Sequence, residues 1–554
     1  MVRIPSAVRL FQDGPAPTCI RPTGPGRGAT SEAAGRHTLT WKPSVVDNRR
    51  ARAAREHPLT RGVLALSRPR LGAGRMQMTG YTSSQAMVGA TAVSDTPRRS
   101  PRRRRRKLAC LVVALGMTSI LALSACSSGT SSNQASGGPT AGAGFPKVSP
   151  SAGTDIPQIT VRMGMRPVAN DVIYIVGIKQ GWFKDVGITI APPPYGNKST
   201  FNNAVPLLVN HQLDVEGLDP IPTISTLGNV KNIRFIALSD IFLGYQILAA
   251  PDTHAKTVTD FMKQGLSFDD AMKRTLEQLK GQKFTIPPII SDRGFLDAAF
   301  GAAGMNMLKD TKVVVTPDAN ALNLVSNGQV KYATFDGAPF TAQLLGAGWI
   351  PLVTPLDLSN NLPPGVDSPA QLLVEPPGIA SSAEWTSKNG ETVLRFVSVM
   401  FRIIHEINAD PPGQLRHELD FLNAFAGTSL TLKELQSNIT KLDPLIPFES
   451  QAPYFEDPKS SLYYKNWFQA NVNYNVKKGV LQKGSTYNPD DLIWAGTIYQ
   501  QLKGLKAQSD QLMSQLKGTK LAADKQQLVD RAKKFYTWYD FLDSYRYLKA
   551  AVGS

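Results

Sequence analysis

The feature that most restricts the fold is a regular alternation of strand-like and helix-like segments between residues 159 and 353. Short apolar or alternating runs typical of strands lie at 159–163, 186–191, 213–218, 233–238, 283–286, 312–315, 331–334 and 349–353. Helical spacing lies between them at 171–180, 199–210, 222–228, 293–303, 318–327 and 338–346. This alternation predicts βαβ units and mostly parallel sheets. Because it occurs in two runs, we expect two α/β lobes, with the chain crossing between them at 244–250 and 371–375.

The sequence after residue 381 is mostly helical. Apolar residues from Val393 to Ile407 share one helical face. Further helices are predicted at 431–440, 458–480, 490–516 and 521–549. The aromatic residues of the last segment predict a packing face.

Charge divides the chain at residue 125. Residues 1–125 hold 22 Lys and Arg against 5 Asp and Glu, whereas the remainder holds 39 against 38. The basic character therefore belongs to the leader, and the nearly neutral remainder gives no support for a nucleic-acid surface.

The leader ends in a pattern typical of export. A run of cations up to Lys107 precedes the apolar run 108–123, and Leu123-Ser124-Ala125-Cys126 follows. This tetrapeptide resembles the lipobox of bacterial lipoprotein signal peptides. The resemblance implies diacylglyceryl transfer to Cys126, cleavage before it, and a membrane anchor at the outer face of the cytoplasmic membrane. The alternative is a transmembrane helix, for which about sixteen apolar residues are few. Export by the general or the twin-arginine route stays open.

These signals predict a division of the chain. Residues 1–86 form a disordered extension or follow a mis-assigned start, with Met76, Met78 or Met87 as the true one. The predicted parts that follow are a signal peptide (87–125), a flexible tether (126–157), a first lobe (158–250, completed by about 355–410), a second lobe (251–354) and a helical C-terminal region (411–554). No cysteine follows Cys126, so the exported part has no disulfide, thiol nucleophile or thiolate metal site.

Six segments, in order, resemble the substrate-binding proteins of ABC importers, in the branch that includes nitrate, taurine, alkanesulfonate and thiamine-precursor binders. The matching segments are 159–163, 175–188, 213–220, 279–284, 324–332 and 335–339. The resemblance covers about residues 159–410 and implies the type II periplasmic-binding fold, with two lobes, a two-strand hinge and a cleft that closes. Residues 254–278 and the long C-terminal region depart from the pattern.

Ligands of open parallel sheets bind outside the carboxyl ends of the strands. The loops at those ends supply the predicted ligand-binding residues: Arg166, Asn170, Tyr195, Asn197, Ser199, Thr200, Asp219, Ser291, Asp292, Arg293, Phe335 and Asp336. Helix N-termini in these loops favour an anion, which Arg166 and Arg293 would contact at two points. Tyr195 and Phe335 would stack on a flat ligand. Asp171 can equally be a helix cap, and Ser199 is expected first as a helix cap, with ligand contact as a second role.

We therefore expect a monomeric lipoprotein that captures a small anionic or flat heterocyclic solute and delivers it to an ABC permease, whose ATPase is another chain. The sequence contains no P-loop, no HExxH spacing and no G-x-S-x-G elbow, and it predicts neither a metal nor a cofactor. One alternative is an enzyme like the thiamine-pyrimidine synthases, whose cysteine-rich site has no counterpart here. The other is a sensor or structural lipoprotein.

Overall fold

The structure, a computed structural model, describes residues 144–288, 293–363, 365 and 367–553. The signal peptide, Cys126 and the predicted site residues Ser291 and Asp292 lie outside the described residues. The strands of the described part are β1 Ile159–Met165, β2 Ile188–Ala191, β3 Asn197–Lys198, β4 Val215–Leu218, β5 Ile233–Leu238, β6 Ile247–Ala249, β7 Lys283–Ile286, β8 Lys312–Val315, β9 Tyr332–Ala333, β10 Ile350–Val353 and β11 Gly378–Ser382.

Helices separate these strands and make up the C-terminal region. The α-helices are α1 Ala169–Val172, α2 Tyr174–Lys179, α3 Trp182–Asp185, α4 Ala204–Val209, α5 Pro220–Ser225, α6 Val258–Lys263, α7 Phe268–Glu277, α8 Arg293–Ala302, α9 Met307–Asp310, α10 Asp318–Ser326, α11 Ala338–Gly346, α12 Pro355–Asn361, α13 Ala383–Lys388, α14 Gly390–Ala409, α15 Pro411–Leu415, α16 Leu419–Ala426, α17 Leu432–Ser437, α18 Ala452–Phe455, α19 Tyr464–Lys477, α20 Ala495–Leu516, α21 Ala523–Thr537 and α22 Phe541–Val552. Single 3₁₀ turns occupy Pro251–Thr253, Pro369–Leu373, Phe448–Ser450 and Pro489–Asp491, and Asn438–Leu442 is a π-helical turn.

Two separate sheets confirm the predicted two-lobed α/β fold. The first has the order β2-β1-β4-β11-β5, with β3 also paired to β1, and the second has the order β10-β6-β9-β7-β8. Each sheet is parallel except for one strand, β11 in the first and β6 in the second. These are the strands that follow the two chain crossings. All six residues of β5 are buried, as expected for a sheet covered on both faces.

The crossings differ from the predicted bounds. The first begins after β5, and Ile247–Ala249 is already a strand of the second sheet, although we assigned residues up to 250 to the first lobe. The second predicted crossing, 371–375, begins inside a 3₁₀ turn, and extended backbone starts at Val374. The two crossings lie side by side, since the Phe242 N–H donates to the Glu375 carbonyl at 2.8 Å.

Two predicted helices were also wrong in their bounds. The helix expected over 199–210 begins at Ala204, because residues 197–198 join the first sheet and the Ser199 hydroxyl donates to Glu216 instead of capping. The helix expected over 521–549 is broken between α21 and α22. Tyr539 has a φ of 65°, a left-handed conformation that a helix cannot contain.

The C-terminal region packs on the first lobe and is not a separate body. The Phe235 N–H of β5 donates to the Leu492 carbonyl at 2.8 Å, and the Trp494 N–H donates back to Phe235 at 2.9 Å. Residues 492–494 thus pair with the free edge of β5, and α20 packs against the same strand. Among the described residues, no helix is both long enough and apolar enough to cross a bilayer.

Residues 144–157, predicted as part of the tether, lie along the C-terminal helices. Phe145 is buried and meets Trp494 edge-on, with ring centroids 6.3 Å apart. The Val148 N–H donates to Gln501 Oε1 at 2.9 Å, and the Tyr547 hydroxyl donates to the Thr154 carbonyl at 2.8 Å. The tether prediction is therefore wrong for this part of the segment, since its backbone has specific partners.

Candidate ligand-binding site at the carboxyl ends of the two sheets

Arg166 follows β1 and lies between two carboxylates of the first lobe. Its Nε and Nη2 donate to the two oxygens of Asp171 at 2.7 and 3.1 Å. Nη2 also donates to Asp219 Oδ1 at 3.1 Å, and Nη1 donates to Asp219 Oδ2. Only 2% of Arg166 is exposed. Burial opposes its charge, but Asp171 and Asp219 hold the pKa of Arg166 well above its usual range.

A glycine makes room for this pair. A Cβ on Gly217 of β4 would coincide with the Asp171 carboxylate. Asp219 is the N-cap residue of α5 by position, yet its carboxylate does not cap the helix because it is directed to Arg166. Asp219 therefore pairs with Arg166 instead of capping α5.

Asp240, two residues after β5, is the next carboxylate along this edge. It is fully buried and accepts hydrogen bonds from Asn170 Nδ2 at 3.2 and 3.3 Å and from the Ser239 hydroxyl at 2.5 Å. Burial raises the pKa of Asp240 to about 8, with Asp219 and Asp171 adding to the shift against the two hydrogen bonds.

The second lobe and the crossings contribute further carboxylates. The Tyr245 hydroxyl donates to Asp336 Oδ1 at 3.2 Å and also hydrogen-bonds Glu375 on the return crossing. Asp336 follows β9, and its backbone N–H donates to Asp318 at 3.1 Å. Burial, together with Asp318 and Asp219, raises the pKa of Asp336 well above its usual range. Burial, Asp219 and Asp336 do the same to the pKa of Glu375.

The C-terminal region supplies Asp443. The segment around it runs antiparallel beside the first crossing, since the Leu243 N–H donates to the Leu442 carbonyl at 2.6 Å and the Ile241 N–H donates to Pro444 at 3.1 Å. Asp443 is fully buried, and neither of its carboxylate oxygens has a hydrogen-bond partner among the described residues. Burial and then Asp240, with Asp219 and Asp171, raise its pKa well above the usual range.

Together these side chains form what we name the acidic cluster: Asp171, Asp219, Asp240, Asp336, Glu375 and Asp443. Within the described part of the chain, the cation that makes ion pairs with the cluster is Arg166, and no Lys, Arg or His nitrogen lies within 4 Å of the last four carboxylates. Every member except the partly exposed Asp219 is buried, and the six acidic side chains outnumber the arginine that pairs with them.

Glu216 and Ser199 lie beside the cluster, in the first sheet. The Ser199 hydroxyl donates to Glu216 Oε1 at 2.6 Å, while Oε2 is buried without a partner in the described structure. Burial raises the pKa of Glu216 to about 8. Ser199 therefore supports a buried acid and does not face an open loop.

The structure brings four of the predicted site residues together: Arg166, Asn170, Asp219 and Asp336. Others lie elsewhere. Tyr195 packs edge-on against Phe421 at 5.6 Å, Phe335 is stacked on Phe340 at 5.8 Å inside the second lobe, Asn197 pairs with β1, and Thr200 is exposed. Tyr195 and Phe335 were predicted to stack on a ligand, but protein side chains occupy these ring contacts.

Arg293, the second predicted anion contact, lines a different groove. This groove has a volume of about 450 Å³ and lies between α8 and α19, with Asp297, Tyr474 and Lys478 along it. Arg293 thus does not share a ligand with Arg166 in this arrangement. Arg166 is engaged by Asp171 and Asp219, and Arg293 lines the groove beside α19, so the anion site expected from the two arginines stays a prediction.

Several members of the acidic cluster were not predicted as ligand contacts. Asp171 and Asp240 stand in loops that the sequence does single out, at the ends of β1 and β5. Glu375 and Asp443 lie on the return crossing and in the C-terminal region, where the strand-end rule does not apply. Among the described residues, no three acidic or histidine side chains are placed to hold a metal ion.

Comparisons with known proteins agree with this architecture at the level of family. Residues 154–412 match the model of the NMT1-like family. No curated protein matches the chain.

Solved structures with similarity to the chain include three with different descriptions. The alkanesulfonate-binding protein SsuA from Xanthomonas axonopodis pv. citri, bound to MOPS, is 14% identical over 57% of this chain and 97% of that one, with a TM-score of 0.39. The nitrate-binding protein NrtA from Synechocystis PCC 6803 is 14% identical over 64% and 91%, with a TM-score of 0.44. The Candida albicans CA3427 gene product, described as having the generic periplasmic-binding-protein fold, is 11% identical over 62% and 95%, with a TM-score of 0.39.

The matched segment contains both sheets, both crossings and every member of the acidic cluster except Asp443. The family resemblance read from the sequence is therefore confirmed at the level of the matched segment, because residues 154–412 of the chain match the NMT1-like family model.

Proposed function

We propose that this protein is an exported, lipid-anchored receptor that captures a small solute between its two lobes and delivers it to an ABC permease. The observation that carries the proposal is the position of the acidic cluster. Its members come from the carboxyl ends of both sheets and from the two crossings, so a solute held there would touch every part that moves when the lobes close.

Closure requires that the solute bind the closed arrangement better than the open one, since only differential contact shifts such an equilibrium. A solute that bridges Asp219 of the first lobe and Asp336 of the second meets this condition. The adjacent crossings at Phe242 and Glu375 supply a narrow hinge about which the lobes can rotate.

Solute binding without turnover is the activity that we propose. The alternative of an enzyme of thiamine-pyrimidine-synthase type gains no support from the residues at the cluster, which are carboxylates, and no cysteine follows Cys126. A test for delivery of the bound solute to a permease distinguishes transport from the sensor or structural alternative. Delivery would favour transport.

The test is a thermal-shift screen of the purified protein against small solutes, followed by calorimetry on each hit. Sulfonates, nitrate, pyrimidines, aromatic acids and organic amines should all be included. We expect at least one solute to raise the melting temperature in a saturable way by mass action. Recovery of that solute unchanged supports a receptor, whereas its conversion to a product would contradict the proposal.

A further inference from the structure

The acidic cluster also indicates the charge of the solute. We propose that the solute is a small organic cation, carrying ammonium or guanidinium groups, that the carboxylates of both lobes bind directly. This inference rests on the proposed solute-binding function and deepens it by naming a ligand class.

The first observation is the state of Arg166, the residue on which an anion site would depend. Both edges of its guanidinium are occupied by Asp171 and Asp219, and its face lies over Phe201 at 5.0 Å. An arriving sulfonate or nitrate would have to displace a buried carboxylate from this pair. It would also approach Asp240 and Asp336, whose carboxyl groups offer it no positive charge.

The second observation is independent of the pair and concerns Asp443. Its two oxygens are buried without a hydrogen-bond donor among the described residues, although buried carboxylates in proteins are nearly always satisfied. The Tyr174 hydroxyl is likewise buried without a hydrogen-bond partner among the described residues. Burial, with Asp171 and Asp240, raises the pKa of Tyr174. An ammonium group supplies several donors and a positive charge, which are the two things that this part of the cluster lacks.

The third observation is the origin of the carboxylates. Asp219 and Asp240 belong to the first lobe, Asp336 to the second, Glu375 to the return crossing and Asp443 to the C-terminal segment. Without a cation, burial and the neighbouring acids favour the protonated forms of these carboxyl groups. A cation between them favours their ionised forms and contacts both lobes at once, so its binding and lobe closure favour each other.

The fourth observation favours an organic cation over a metal ion. Phe242 and Tyr245 meet edge-on with centroids 4.5 Å apart, and Tyr245 stacks on Phe295 at 6.2 Å, so aromatic rings adjoin the carboxylates. Aromatic faces attract ammonium and guanidinium groups. A metal ion needs three or more converging ligands, which the described acidic and histidine side chains do not provide.

The experiment is calorimetry and thermal shift on the full chain with matched probes. The cations are putrescine, spermidine, arginine and choline; the anions are taurine, methanesulfonate and nitrate; KCl, MgCl₂ and CaCl₂ control for ionic strength and metal binding. We expect saturable binding of at least one organic cation, and no saturable binding of the anions or the salts.

Two variants and one control locate the site. Asp443→Asn and Asp336→Asn each replace a carboxyl group by an amide of nearly the same shape that cannot ionise against a cation, and each should weaken binding of the best organic cation at least tenfold. Glu418→Gln is the matched control, because Glu418 is also fully buried with both oxygens unpartnered in the described structure, but burial alone raises its pKa. Its cation affinity should equal that of the unaltered protein.

The outcomes separate this inference from the proposed function. Saturable binding of an anion or neutral solute, with no organic cation bound, would overturn the inference and leave the receptor function standing. Binding of Mg²⁺ or Ca²⁺ alone, or cation affinity equal in Asp443→Asn and Glu418→Gln, would also overturn it. Failure of every class of solute to bind would overturn both.

Discussion

At the scale of single residues, Arg166 pairs with the buried Asp171 and the partly buried Asp219, so an anion would compete with both carboxylates for it. Its loss would leave Asp171 buried without its counter-charge. Removing one partner of a buried ion pair typically costs about 3–5 kcal/mol. The residue is thus expected to matter for stability before any ligand is present.

We therefore predict that Arg166→Ala lowers the free energy of unfolding by about 3–5 kcal/mol, measured by urea denaturation without ligand. Arg274→Ala serves as the control. Arg274 forms a long 3.9 Å pair with Glu277 at the surface, where its side chain is 67% exposed, so its loss should change stability by less than about 1 kcal/mol. Equal stability of the two variants would show that the Arg166 pairs are not structural.

The raised pKa values predict how stability depends on pH. Asp240 has an ordinary value of 3.8 and a value of about 8 in the fold, so the folded protein keeps a proton that the unfolded chain releases. The contribution of Asp240 to stability is full below pH 4 and is lost as the pH rises through 8, by up to about 1.4 kcal/mol per pH unit.

The unliganded protein should accordingly lose stability between pH 5 and pH 8, as followed by urea unfolding. Asp240→Asn should reduce this slope, because the amide has no proton to lose in that range. Glu384→Gln, at an exposed site where Lys388 lowers the carboxyl pKa, should leave the slope unchanged. A slope that is the same in all three proteins would contradict the assignment to Asp240.

At the scale of elements, three strands were predicted with their observed bounds: β5, β7 and β8. Burial does not explain this agreement, since β5 is buried throughout whereas β8 is only partly covered. The helix expected over 199–210 failed because a distant acid, Glu216, takes the Ser199 hydroxyl that would have capped it. The long C-terminal helix failed because an amphipathic pattern continues through the turn at Tyr539, and local spacing does not reveal where the two halves fold back on each other.

The site was predictable only as far as the strand-end rule reaches. Arg166, Asn170, Asp219 and Asp336 follow strands and do meet, whereas Asp443 lies far along the chain and comes to the cluster through backbone pairing beside residues 241–243. Arg166 was expected to bind an anionic ligand, but it pairs with Asp171 and Asp219 instead. The sequence shows that the arginine is present but not that these two acids contact it.

The C-terminal elements are predicted to be necessary for the first lobe. A chain that ends at Asp410 would expose the edge of β5 and the apolar surface that Trp467, Phe468 and Trp494 cover. We expect it to be largely insoluble and quickly degraded in limited proteolysis. Residues 411–554 expressed in trans should restore part of the soluble yield, and full solubility without them would contradict this role.

At the scale of the whole molecule, solute binding should bring the lobes together. Because no cysteine follows Cys126, Thr200→Cys and Val315→Cys provide unique labelling sites, one near the strand ends of each lobe, in the exported part of the chain. When a solute is bound, the mean distance between the two spin labels should decrease and the distribution of distances should become narrower. A labelled pair placed within one lobe, at Lys184 and Thr200, should not respond.

Membrane attachment is predicted to depend on Cys126. In a bacterial host that processes lipoproteins, Cys126→Ser should abolish incorporation of a labelled fatty acid and move the protein from the membrane to the soluble fraction. Cys110→Ser, within the leader, should leave both unchanged. Membrane retention of the Cys126→Ser protein would favour the transmembrane alternative instead.

The docking of Phe145 against Trp494 has a mechanical consequence for such a receptor. The 18 peptide bonds from Cys126 to Gly144 can span at most about 65 Å, and they lead to the half of the protein that contains β5. A lipid on Cys126 would therefore hold the first lobe at the membrane and leave the second lobe free to rotate. Solute release would then involve movement of the second lobe relative to a stationary first lobe.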